Sequence, residues 1–320
     1  MTTYKGINGF AVQSVATDPS PLDEGQVWYN NATYAFKLAA VTTAGTFASG
    51  GNVNTARANL ASAGIQTSSL AFGGNVSPNA QTEEYNGTSW TNSNNLGTGR
   101  QWLAGAGTQT TGLAFGGEPP TTSTEEYDGT SWTAGGSLNN GIGQNAGLGT
   151  QTAALNAGGE TPASALSSAS EEYDGTSWTS GGTMNTARRV ISGCGIQTAG
   201  LVFGGVSPSV SAATEEYDGT SWTSGGNLNT ARWSIGAAGT QTAGLAVGGA
   251  TPSITGATEL YNGTTWSNNP NSLGTARRTV GSGTQLAGLF ATGNDGTNNV
   301  ANTEEFSGPG TATTKTITTS

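Results

Sequence analysis

Arg232-Trp-Ser-Ile-Gly-Ala-Ala-Gly-Thr-Gln-Thr-Ala-Gly-Leu-Ala-Val-Gly-Gly249, followed after a loop by Thr258-Glu-Leu-Tyr-Asn-Gly-Thr-Thr-Trp266, is one copy of a phrase the chain repeats. Arg232 to Gly239 reads as a strand of small residues, Thr240-Gln-Thr as its turn, and Ala243 to Gly249 as a second strand. The double glycine recurs at Gly73, Gly116, Gly158 and Gly204, and in degraded form at Gly293-Asn294. Tyr85, Tyr127, Tyr173, Tyr217, Tyr261 and Phe306 follow these, and Trp90, Trp132, Trp178, Trp222 and Trp266 stand five residues after each Tyr. Successive Trp residues lie 42 to 46 residues apart, a period suited to four short strands per unit and therefore to a propeller. Asn-Gly or Asp-Gly between Tyr and Trp, as at Asp128-Gly129, predicts a type I′ hairpin turn with positive φ at both central residues.

Composition agrees with an all-β protein. Of 320 residues only 9% are charged and 52 are Gly, which would imply disorder were the aromatic positions not periodic. The net charge of −10 speaks against nucleic acid as a partner, since phosphate binding needs clustered Lys and Arg and there are ten in all. A membrane is not expected either: no run approaches the roughly 20 apolar residues of a spanning helix, and Met1-Thr-Thr-Tyr-Lys-Gly does not read as a signal peptide. The single cysteine, Cys194, excludes an internal disulfide framework and reads as a small buried residue.

The apolar run, double Gly, Tyr and Trp in fixed order resemble the kelch repeat over residues 46 to 311. The resemblance implies a six-bladed kelch-like β-propeller, with 42–320 as the propeller and 1–41 as a short N-terminal β-hairpin attachment segment. The sixth unit has Thr311 where its Trp belongs, whereas Thr46-Phe47-Ala-Ser-Gly-Gly matches Ser221-Trp222-Thr-Ser-Gly-Gly. A closing outer strand near 43–49 is therefore expected, with Thr311 to Thr319 as the alternative. In the N-terminal segment Pro21 to Lys37 reads as two strands joined at Asn30-Asn31, with Trp28, Tyr29, Tyr34 and Phe36 as an apolar face for partner attachment. The Gly25-x-x-Trp28-Tyr29-Asn30 stretch resembles hairpins of tail-fibre proteins of tailed bacteriophages. Gly-, Thr- and Asn-rich rings of this kind are similar to virion proteins of marine phages.

Eleven of the twenty acidic residues occupy one slot of the repeat, among them Glu83-Glu84 and Glu215-Glu216. Paired carboxylates perform acid and base work in glycosidases, but an active site is single whereas this slot is filled in every unit, which points to architecture. Arg57, Arg100, Arg188, Arg232 and Arg277 likewise share a slot, with Gln144 expected in the third unit. Bidentate pairing with the glutamates is expected of them. The sialidase-like alternative is weak, because Asp128-Gly-Thr-Ser-Trp132 does not reproduce that family's spacing. With no His, neither the copper site of galactose oxidase-like kelch proteins nor a Ser-His-Asp triad is possible, and no cofactor is expected. Asp295 is the best loop candidate for Ca²⁺, against the plainer reading of a polar turn.

Residues that break the repeat are the better candidates for binding. Loops between second and third strands vary, and Trp102 and Trp233 fall just past the Arg slot, where other units carry Asn59, Val190 or Thr279. With Arg189 and Arg278 nearby they form a candidate ligand-binding set for a host-surface glycan or receptor, the alternative being that they fill the channel. The expectation is a non-enzymatic virion structural protein, a tail fibre, appendage or capsid decoration. Other virion proteins would be its partners, and it would be a homo-oligomer following particle symmetry. A secreted adhesin and a polysaccharide-degrading enzyme are the alternatives.

Overall fold

The computed structural model describes residues 12–20, 26–41, 44–310 and 312–317. Gly25 of the tail-fibre-like motif, and Thr311, Thr318 and Thr319 of the alternative closing strand, lie outside them. The described residues form strands and turns with no helix, and they divide into two units, 46–307 and the two termini together.

The larger unit is propeller-like and is built of four-stranded antiparallel sheets, with one two-stranded hairpin, Val206–Ser207 and Ser209–Val210, in a loop. The first is Ala61–Ile65, Ser68–Phe72, Thr82–Tyr85 and Trp90–Ser93, and the second is Ala104–Gly107, Gly112–Phe115, Thr124–Tyr127 and Trp132–Ala134. The third is Ala146–Thr150, Ala153–Glu160, Leu166–Tyr173 and Trp178–Ser180, and the fourth is Ser192–Ile196, Ala199–Phe203, Thr214–Tyr217 and Trp222–Ser224. The fifth comprises Gly236–Thr240, Ala243–Val247, Thr258–Tyr261 and Trp266–Asn269. The sixth comprises Arg278–Gly283, Ala287–Asn294 and Asn299–Ser307, and its fourth strand is Thr46–Ser49, with Phe47 opposite Phe306. Innermost strands neighbour one another in a cycle, the sixth beside the first. Small residues make this possible: a Cβ on Gly105 would stand 2.7 Å from the Phe72 ring of the preceding sheet.

Each of the first five sheets grips the one before it through three side chains. The turn glutamine donates to two carbonyls of the preceding sheet, as Gln109 does to Ser69 (3.2 Å) and Tyr85 (2.6 Å), and Gln66 closes the cycle on Gly288 and Phe306. The Trp indole donates to a hydroxyl, as Trp178 does to Thr124 at 3.0 Å and Trp90 to Thr303 at 2.9 Å. The Tyr hydroxyl donates to the second Glu of the pair, as Tyr217 does to Glu172 at 2.5 Å and Tyr85 to Glu305 at 2.7 Å. Tyr and Trp of one sheet also pack together with centroids about 5 Å apart, the range in which aromatic pairs attract.

The Tyr–Trp turn departs from expectation. Tyr127 pairs with Trp132, which leaves a four-residue loop, and only Gly129 takes positive φ (90°). The Asp128 carboxylate satisfies the loop by accepting from Thr130 and Ser131 N–H at 2.8 and 2.7 Å, so no type I′ turn is needed.

In the smaller unit Gln13–Val15, Val27–Asn30, Ala35–Val41 and Ala312–Thr316 form one sheet, the first pair parallel. The last of these strands pairs with Ala35–Val41 and so is not the sixth sheet's outer strand. The expected shared face of Trp28, Tyr29, Tyr34 and Phe36 does not form. Alternation sends neighbours to opposite faces, so Tyr29 lies against Phe36 (5.0 Å) while Trp28 stands opposite Lys37, fully buried and donating to Asp18. Tyr34 sits in the turn at φ 54° and is 81% exposed.

Candidate functional site

The carboxylates fall into two structural classes. The first Glu of each pair is buried and meets the Arg of its own sheet: Arg57–Glu83, Arg100–Glu125, Arg188–Glu215 (2.8 Å), Arg232–Glu259 (2.8 Å) and Arg277–Glu304 (2.5 Å). The expected bidentate fork does not form, because the second carboxylate oxygen accepts a backbone N–H instead, from Asn54 on Glu83 and from Asn185 on Glu215, each at 2.6 Å. The guanidinium turns its remaining N–H groups to carbonyls, in Arg57 those of Gly73, Ala71 and Thr55. The Arg57–Glu83 pair, its hydrogen bonds so fully used, is architectural, and the pairs of Arg188 and Arg232 leave Nε without a partner.

The third sheet differs. Ile142, not Gln144, holds the Arg slot: its Cγ1 would stand 2.8 Å from a Cβ on Gly159, as Arg57 Cδ would stand 3.1 Å from one on Gly74. Counting back from the invariant turn glycine, rather than matching polar residues, aligns the slot correctly. By the same alignment Trp102 and Trp233 are not equivalent. Trp102 shares its place with Asn59, Gln144, Val190 and Ser234, and Trp233 shares its place with Gln101 and Arg189; in the sixth sheet a register shift brings Arg277 to six residues before Gly283 instead of seven, and Arg278 follows it as Trp233 follows Arg232.

The Trp102 set and Arg278 meet at one mouth of the central channel. Asn59, Trp102, Gln144, Val190, Ser234 and Arg278 line a cavity of about 110 Å³ there. Arg278 Cζ lies 5.0 Å from the centroid of the Trp233 ring, a cation–π contact, and its Nη2 donates to Asn294 at 2.7 Å. Arg278 Nε is buried without a hydrogen-bond partner, as is Oδ1 of Asn145, another lining residue. Arg189 is drawn aside by an ion pair with Glu160. Backbone bridges join Gln101 to Glu118, Arg189 to Val206 and Trp233 to Ala250, so the mouth and the variable loops share a rim.

A further device escaped sequence reasoning. Asn59, Trp102, Gln144, Val190 and Ser234 all adopt left-handed backbone, φ between 51° and 60°, costly for a β-branched residue such as Val190. Each conformation is held by the next: Trp102 N–H donates to Asn59 O (2.7 Å), Gln144 to Trp102 (2.9 Å), Val190 to Gln144 (2.7 Å) and Ser234 to Val190 (3.4 Å). This belt leaves five dissimilar side chains around the mouth while the backbone beneath repeats. The shared φ had no residue-type signal to announce it.

Other candidates resolve into structure. Asp295 accepts from Thr297 and Asn298 N–H at 2.8 and 2.7 Å, which closes a turn, and no cluster of three metal-ligating side chains occurs among the described residues. Burial pushes the Cys194 thiol up to about 12, which keeps it protonated and unreactive. Compared with models of known protein families and with curated proteins, the chain matches none.

Proposed function

We infer that the chain is a non-enzymatic structural protein of a phage particle whose larger unit, a six-bladed kelch-like propeller, presents one rim to a host-surface glycan or receptor. The observation that supports this reading best is the gathering of repeat-breaking residues at one mouth, where Trp102 and Arg278 line the same cavity and Arg278 stacks on Trp233. Aromatic faces stack on the apolar faces of sugars and an Arg donates to their hydroxyls, while the repeated Glu and Arg residues are consumed by the scaffold. The smaller unit, with its tail-fibre-like Trp28-Tyr29-Asn30 hairpin, would join other virion proteins.

The test is binding of the purified protein to host cells and to arrays of their surface glycans. Trp102→Ala and Trp233→Ala should each weaken binding about tenfold or more without unfolding the protein, as loss of a stacking aromatic does. Unchanged binding by both folded variants would remove the mouth from consideration. Absence of the protein from purified virions would favour the secreted-adhesin reading.

A further inference from the structure

The third sheet contains an emptied version of the scaffold's own guanidinium socket. In the first sheet the Arg57 guanidinium is received by four acceptors: the Glu83 carboxylate and the carbonyls of Ala71, Gly73 and Thr55. Counted along the repeat, their counterparts in the third sheet are Glu171, Asn156, Gly158 and Asn140. All four line a cavity of about 320 Å³, within the size range of small-molecule sites. Ile142 has replaced the arginine and packs instead in the apolar cluster with Phe115 and Leu138.

Glu171 is left as the odd member of its class. It is 4% exposed, and no cation lies within ion-pair distance of it among the described residues, whereas its five counterparts each hold an Arg. Its Oε2 accepts from Asn139 N and Nδ2, both at 2.8 Å, which orients the carboxylate as Asn54 orients Glu83. A buried carboxylate without a countercharge is costly, and the geometry around it already fits a planar fork of N–H donors better than a point-like ammonium. Exposed Asn140 and Pro162 at the cavity's edge give it an opening to solvent.

We propose that this cavity binds an alkylguanidinium group, the chemistry of an arginine side chain, with Glu171 as its anion and the carbonyls of Asn156 and Gly158 as its further acceptors. The site is separate from the channel mouth and does not depend on a host-binding role.

Calorimetric titration of the whole protein with agmatine, and separately with the blocked peptide acetyl-Gly-Arg-Gly-amide, tests it, with butylamine as the ammonium control. Agmatine should saturate one site per chain and bind more tightly than butylamine. Glu171→Gln should weaken it at least about tenfold, as loss of a charged acceptor does. Ile142→Arg, which restores the arrangement of the other five sheets, should abolish binding and raise the melting temperature, so it carries the test if Glu171→Gln fails to fold. Peptide binding alongside agmatine identifies the source as an arginine of another protein, and agmatine binding alone identifies a free small molecule. The proposal is overturned if agmatine does not saturate the protein by about 20 mM, a concentration that fills even a millimolar site, or if it binds Ile142→Arg equally well.

Discussion

Between the fourth and fifth sheets all three inter-sheet links are present: Gln241 on Gly200 and Tyr217, Trp266 on Thr214, and Tyr261 on Glu216. Between the fifth and sixth only the glutamine link remains, from Gln285 to Gly244 and Tyr261. Leu260 stands where the second Glu belongs and Phe306 where the Tyr belongs, the two meeting in one apolar cluster, while Phe47 replaces the Trp. The Thr258 hydroxyl, which that Trp would have satisfied, is buried without a partner. Donor and acceptor have thus been lost together in one pair and separately in the other. A Tyr facing Leu or a Glu facing Phe would strand a polar group, whereas Leu against Phe strands none. The two carboxylates of the Glu-Glu motif thus have separate duties: one serves within a sheet and the other between sheets.

Reversing half of the exchange should have the largest effect. Leu260→Glu places a carboxylate against Phe306 with no hydroxyl to meet it, and a loss of about 2–4 kcal/mol is expected in denaturant unfolding. Adding Phe306→Tyr should recover about 0.5–3 kcal/mol of that, read as the coupling in a double-mutant cycle. If the two changes are additive, the pairing argument fails. The opposite half, Tyr217→Phe at an intact interface, removes the donor to Glu172 and should cost about 1–3 kcal/mol, while Tyr261→Phe should behave alike because its interface is built the same way.

Much of this scaffold was legible in the chain because the repeat carries its own internal alignment. The Tyr, Trp and Gln slots, and Phe47 as a stand-in for Trp, follow from matching Thr46–Gly51 to Ser221–Gly226. Sequence could not distinguish which Glu of a pair faces inward, since both lie in one short strand and only the pleat separates them. It also misassigned Gln144, because a polar residue near the slot looked a better substitute for Arg than Ile142 did. The channel mouth was visible only as departures from the repeat. That Arg278 lies over Trp233 depends on the cyclic order of sheets, which brings together residues 45 positions apart.

Alkaline titration sharpens the comparison without mutation. Tyr85, Tyr127, Tyr173, Tyr217 and Tyr261 are each pushed up to about 12, first by burial and then by the hydrogen bond to a neighbouring carboxylate. A hydroxyl whose pKa rises on folding contributes stability that is fully present below the unfolded value near 10 and is lost as pH climbs through about 12. Unfolding midpoints measured from pH 9 upward should therefore fall steeply over that window. The Tyr217→Phe variant should show a shallower fall, having one fewer such group.

The smallest effect is expected from Phe47→Trp. Phe47 already lies against Phe306, centroids 4.9 Å apart, as Tyr and Trp do in the other sheets, so the larger ring has a known place in the architecture. Its indole N–H would reach for Thr258 as Trp266 does for Thr214, satisfying the stranded hydroxyl. A gain of about 0.5–1.5 kcal/mol is expected from one such hydrogen bond, offset in part by the added volume. The control is Thr258→Val in the Phe47→Trp background: if the gain survives loss of the hydroxyl, it came from packing alone, and the unpartnered oxygen is not what weakens this seam.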